Sequence, residues 1–141
     1  MKRFLDTSVL VATVLGEHPQ HAPSLAIYAE SEKRNSYCGS HSLAEIYAAV
    51  TRIPGKQRMS SDQALLFLDD VGTKLTVVPL DAADYFSTLA SASAAGIIGG
   101  TIYDALLAHC ALKSGAEVIY TWNVADFRRL GPEIARRVRT P

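Results

Sequence analysis

Four carboxylates fall where apolar runs meet helix-like stretches: Asp6 in FLDTSVLV, Glu45 in SLAEI, Asp104 in TIYDALL and Asp126 in WNVADF. Asn123 stands close to the last of them. Brought to one place, these acids would crowd and raise one another's pKa, a conflict that a divalent cation resolves. Oxygen ligands without Cys or paired His favour Mg²⁺ or Mn²⁺ over Zn²⁺, and Mg²⁺ takes one or two carboxylates while keeping waters. Such a site activates water, and a second ion about 3.5–4 Å away steadies a leaving oxygen, so phosphodiester hydrolysis is its natural chemistry if the acids converge.

Each acid also has a simpler explanation. Ser42-x-x-Glu45 and Thr101-x-x-Asp104 have capping-box spacing, Asn123-x-x-Asp126 is a near relative, and Asp6 suits a plain N-cap. Helix geometry separates the two readings. At about 100° per residue, Glu45 points away from the Leu43, Ile46, Tyr47 and Val50 stripe, into a small polar face with His41, while Asp104 sits on the shoulder of an apolar face beside Leu107. A carboxylate on that shoulder is partly desolvated, and no Lys or Arg is near in sequence to offset it.

The elements that must position these acids alternate. Strands are predicted at 2–5, 36–38, 75–78 and 118–120, with 134–138 as a fifth. Helices are predicted at 7–15, 23–33 (Leu25, Tyr28 and Ala29 on one face), 42–52, 61–70, 82–95 and 102–113, punctuated by Gly16, Pro19, the Ile53-Pro54-Gly55 turn, GIIGG at 96–100 and Gly115. Strands separated by helices, with no hairpin turns, predict an α/β sandwich with parallel pairing, whose functional groups gather at the carboxyl ends of the strands.

With 141 residues and 48% hydrophobic content, the chain fits a single domain over 1–141. Fourteen Lys and Arg balance fourteen Asp and Glu, which excludes an overall positive field, so any nucleic-acid contact is local. The arginines bunch late, at 128, 129, 136, 137 and 139. Cys38 and Cys110, in apolar surroundings and without metal-ligand spacing, read as buried thiols of a reducing compartment. No signal segment or membrane span is read, since no stretch nears about 18 uninterrupted apolar residues, and the expectation is a soluble cytoplasmic protein. His18 and His21 are read as turn residues rather than a metal pair, and GIIGG lacks the dinucleotide fingerprint. Leu112, on the polar side of its helix, is read as an interface candidate, and Trp122 as packing beneath the site.

In order and spacing, FLDTSVL, SLAEI, TIYDALLAHCA and TWNVADFRRLG resemble the PIN-domain family, specifically the VapC-type toxin ribonucleases of type II toxin–antitoxin pairs, over essentially the whole chain. The resemblance implies a PIN-like three-layer sandwich with a central, mainly parallel five-stranded sheet. It implies a Mg²⁺- or Mn²⁺-dependent endoribonuclease acting on single-stranded or looped RNA, a homodimer and a cognate antitoxin. Carried over by position, Asp6 and Asp104 are the principal metal ligands, Glu45 assists, and the fourth acidic position falls on Asp126 with Asn123 as its orienting partner. Thr7, Ser8 and Thr121 supply hydroxyls to neighbouring carboxylates, and Arg128 and Arg129 are candidate phosphate contacts. Two alternatives stay open: a non-catalytic PIN-like RNA- or protein-binding module, kept alive by Asn123, and a haloacid dehalogenase-type phosphatase, whose D-x-D-x-T motif lacks its second acid here.

Overall fold

Phe4 and Leu5 point to opposite sides of one strand and both are fully buried, as expected where helices cover both faces of a parallel sheet. In the computed structural model, which describes residues 1–141, this strand is β1 (Arg3–Leu5). It is the middle of a five-stranded sheet with β2 (Ser36–Gly39), β3 (Thr76–Val78), β4 (Val118–Tyr120) and β5 (Val138–Arg139). The order is β3-β2-β1-β4-β5 and every pairing is parallel; Arg3 lies opposite Ser36 on one side and Val118 on the other. The chain therefore builds outward from β1 to β3, then returns across β1 to add β4 and β5. That reversal opens a crevice at the carboxyl ends of β1 and β4.

Helices cover the two faces. On the Leu5 side lie α1 (Thr7–Val14), α2 (His21–Ala29), α3 (Ser40–Arg52) and α4 (Ser61–Lys74), around Leu10, Cys38, Ile46 and Val71. On the Phe4 side lie α6 (Thr101–Ser114), α7 (Val124–Arg128) and α8 (Pro132–Ala135), around Leu107, Ile119, Phe127 and Ile134, with α5 (Ala82–Ala94) packed against α6. Three layers result. Burial pushes the Cys38 thiol up to about 12, helped by Cys110, so it stays an inert packing group.

At Gly39 the sheet and α6 meet closely: an added Cβ would lie 2.6 Å from Leu107 Cδ2 and 3.4 Å from Cys110 Sγ, and Leu107 is only 1% exposed. Gly39→Ala is expected to destabilise the fold by about 1–3 kcal/mol, read as a lower melting temperature. An unchanged melting temperature would show that Leu107 repacks freely.

Several expected boundaries shift. The helix predicted over 23–33 runs from His21 to Ala29, and Ser24 and Tyr28, not Leu25 and Ala29, face inward. Polar partners set that rotation, because Ser24 Oγ accepts from Trp122 Nε1 and the Tyr28 hydroxyl donates to Asp70. Tyr47 lies 39% exposed although it belongs to the α3 stripe. The helix predicted over 61–70 continues to Lys74 as α4. Residues 134–138 do not form one strand: Pro132 starts α8 and pairing with β4 begins only at Val138. Leu112 is partly buried, packing against the core while also lining a cavity beside α5.

Candidate active site

β1 delivers Asp6 to the crevice. Its main-chain N–H still donates to Tyr120 O at 2.9 Å, so the ladder with β4 fixes where the carboxylate stands. Asp6 is 1% exposed; its Oδ2 accepts from Thr121 Oγ1 at 2.7 Å and Ser8 Oγ at 2.8 Å. Oδ1 is buried and has no partner. Burial raises the Asp6 pKa, opposed by the Thr121 and Ser8 hydroxyls and by the main-chain N–H groups of Thr7 and Ser8, which lie near without closing a capping bond. The hydroxyls are themselves held: Ser8 Oγ accepts from Trp122 N–H at 3.0 Å, and Thr121 Oγ1 from Asn123 N–H at 2.9 Å.

Glu45 arrives from α3. Ile46 and Val50 anchor that helix in the core and turn Glu45 toward α1, where Thr7 Oγ1 donates to Glu45 Oε1 at 3.0 Å and also lies 2.8 Å from Ser42 Oγ. Asp104 arrives from the first turn of α6, half-buried. Its carboxyl is pushed up to about 7, first by burial and then by the charges of Asp6, Asp126 and Glu45, with no hydrogen bond to offset them. His41 stacks on Tyr103 at 5.2 Å and 9°, pinning the helices that carry Glu45 and Asp104. Before α6, Gly96 and Gly99 adopt φ of 74° and 66°, backbone turns that side chains disfavour.

None of these acids closes a side-chain capping bond, nor does Asn123, although Asp6 and Asn123 stand at the N-cap positions of α1 and α7. The N-cap residues of α3 and α6 are Gly39 and Gly100. Complete capping boxes do form elsewhere, Ser60 with Gln63 on α4 and Asp81 with Asp84 on α5. The capping boxes that spacing allowed at Ser42/Glu45, Thr101/Asp104 and Asn123/Asp126 do not form.

A cavity of about 310 Å³ brings together Asp6, Thr7, Ser8, Glu45, Asp104 and Asn123. Asp126 is not part of its wall: the side chain is 42% exposed and pairs with Arg129 at 3.3 Å, though its charge reaches Asp104. Thr121 lies fully buried behind Asp6, and Arg128 and Arg129 are on the surface. Trp122 packs partly against the core and also lines the cavity. His18 lines it too, together with Val11, and neither was anticipated; His18 comes back to the site through the 15–20 turn, a tertiary return with no local sequence signal. His21 does not join it, its Nδ1 lying 2.9 Å from Ala12 O. A second cavity of about 220 Å³, between α5 and α6, holds no acid and is walled by alanines, Leu112 and Ile97.

The residues fit a hard divalent cation. Asp6 Oδ1 is an orphaned buried carboxyl oxygen, and Asp104 has no counter-charge. An ion such as Mg²⁺, which takes one or two carboxylates and keeps most of its waters, matches that donor set.

The PIN domain model matches residues 3–131. Ribonuclease VapC27 of Mycobacterium tuberculosis is 33% identical over 115 residues, 81% of this chain and 80% of the relative. Among solved structures, M. tuberculosis VapC20, described as a Sarcin-Ricin loop cleaving toxin, superposes with a TM-score of 0.71 at 17% identity, covering 86% of this chain and 90% of that one. Rickettsia felis VapBC2, solved bound to a DNA fragment from their promoter, gives 0.66 at 20% identity over 99% and 98%. With its acids gathered at the β1/β4 crevice and the family model spanning nearly its whole length, the chain belongs to the PIN-domain family.

Proposed function

We propose that this chain is a metal-dependent endoribonuclease toxin restrained by a cognate antitoxin. One observation carries the reading: Asp6, Glu45 and Asp104, from three separate elements, line one cavity in which Asp6 keeps an unpartnered oxygen and Asp104 is pushed to about 7. The ribonuclease name of a 33% identical relative supports the activity, and a fold neighbour solved as VapBC2 supports an antitoxin partner.

Asp6 and Asp104 would hold the ion, Mg²⁺ or Mn²⁺, with Glu45 beside them. Bound there, it would supply Lewis acidity toward a phosphoryl oxygen and lower the pKa of a water. The protein's own groups prepare that site. Thr121 and Ser8 lock one oxygen of Asp6 so that the other faces a fixed direction. Thr7 orients Glu45, the acid assigned to positioning the attacking water. Without a cation, Asp104 takes up and releases a proton near neutrality. Asn123 supplies a neutral amide at the wall, Asp126 is the fourth acid acting at longer range, and Arg128 is an exposed cation for the RNA backbone beyond the cavity.

The test is cleavage of a mixed single-stranded RNA pool by purified chain freed of any co-purifying protein. Cleavage to 5′-phosphate and 3′-hydroxyl ends is expected with Mg²⁺ or Mn²⁺, disappearing in EDTA and returning on re-addition. Asp126→Ala should weaken it more than Asn123→Ala; equal, negligible losses would remove that segment from the reaction. The non-catalytic binding module, which Asn123 favours, takes over if RNA is bound but never cut. The phosphatase alternative lacks support, since Ser8, where that class needs an acid, donates to Asp6 instead.

A further inference from the structure

We propose that His18 is a phosphate-contacting residue, its imidazole donating from Nε2 to a non-bridging oxygen of an RNA phosphodiester seated in the cavity; this rests on the ribonuclease reading above. Gln20 N–H donates to His18 Nδ1 at 3.0 Å. A main-chain N–H cannot accept, so Nδ1 carries the lone pair and the ring proton sits on Nε2. His21 has the opposite arrangement, since Nδ1 faces the Ala12 carbonyl and must donate.

The cavity needs such a donor. Its wall is rich in acceptors and contains no Lys or Arg. Its other side-chain donors are already engaged: the Thr7 hydroxyl by Glu45, the Ser8 hydroxyl by Asp6, and the Trp122 indole N–H by Ser24 at 2.9 Å. Among the residues that line it, only Asn123 and His18 carry side-chain N–H groups without a protein partner, the Asn123 amide and the imidazole Nε2. A phosphodiester entering beside three acids is repelled unless donors meet its oxygens, and hydrogen bonds to a charged group are the stronger class.

The donor is also held still. His18 N–H donates to Leu15 O at 2.9 Å, its carbonyl accepts from His21 N–H at 3.0 Å, and the neighbouring Glu17 N–H is tied to Gln57 Oε1 at 3.0 Å. A group fixed by its own turn pays little entropy when it binds substrate.

Two substitutions separate contact from scaffolding. His18→Asn keeps an oxygen able to accept from Gln20 N–H but has nothing at the Nε2 position; His18→Gln restores a nitrogen donor at that reach. His18→Asn is expected to lower kcat/KM on the RNA pool by roughly ten- to a hundredfold and to weaken binding of fluorescein-labelled random-sequence single-stranded RNA, read by anisotropy with Ca²⁺ in place of Mg²⁺. Melting temperature and Mg²⁺ affinity should stay at wild-type values, and His18→Gln should recover most of both RNA readouts. Equal loss in both variants with a lower melting temperature makes His18 a turn residue and overturns the assignment, as does wild-type behaviour of His18→Asn. If the wild type binds RNA without cutting it, the ribonuclease reading fails while the binding difference still decides His18. If the wild type does not bind RNA, both fall.

Discussion

Asp6→Asn is expected to abolish RNA cleavage, by at least roughly a hundredfold, while leaving the protein as stable or more so at neutral pH. The asparagine matches the shape of the aspartate, and its carbonyl can accept from Thr121 and Ser8 where Oδ2 does now. What it removes is a charge buried without compensation on one oxygen. The sign follows from the raised pKa. The folded state binds the Asp6 proton more tightly than the unfolded chain, so this group's contribution to stability is greatest below its ordinary value of 3.8 and declines as pH rises beyond it. At pH 7 the charged form opposes folding, and neutralising it relieves that strain. Mg²⁺ should raise the melting temperature of the wild type by binding the folded state and should do so little for Asp6→Asn. A variant that loses activity together with melting temperature would mean that Asp6 holds the fold, and would return it to a structural role.

The sequence made this residue conspicuous because a strand buried on both faces tolerates no acid inside it, so an acid at its end marks the sheet edge. The same logic reached Glu45 and Asp104, since helix periodicity alone turns one away from the core and sets the other on its shoulder. Whether they converge was beyond reach, because capping-box spacing predicts the same residues for a different purpose; only the strand order, with β4 returned beside β1, brings them together. Register also separates the two candidates for the fourth position. Asn123 follows β4 closely enough to line the cavity, whereas three more residues carry Asp126 onto α7 and toward Arg129. Tyr47 and Leu25 were misjudged because a stripe gives an angle but not the extent of what covers it. His18 was invisible for a further reason: its place depends on how the turn after α1 folds back over the site, which neither spacing nor composition encodes.

Asp104 gives the second large effect, and its signature lies in pH. Its carboxyl is pushed up to about 7 from 3.8, so in the absence of divalent cations the folded state holds a proton that the unfolded chain has released across that interval. Metal-free stability should therefore fall as pH rises from about 4 to about 7 and then level, and Asp104→Asn should flatten that decline. A cation favours the charged form, so proton and metal compete: apparent Mg²⁺ affinity should weaken by up to roughly tenfold for each pH unit below 7 in the wild type. Asp104→Asn should bind Mg²⁺ weakly with a much shallower dependence, and its RNA cleavage should fall by at least roughly a hundredfold. Calorimetric titration with Mg²⁺ in buffers of different ionisation enthalpy measures the proton released directly. Release that is the same in wild type and Asp104→Asn would assign the competing proton to another group. A metal affinity that is flat below pH 7 would mean that the acids at the β1/β4 crevice are already ionised, and that burial and mutual repulsion are too weak there to hold a proton against water.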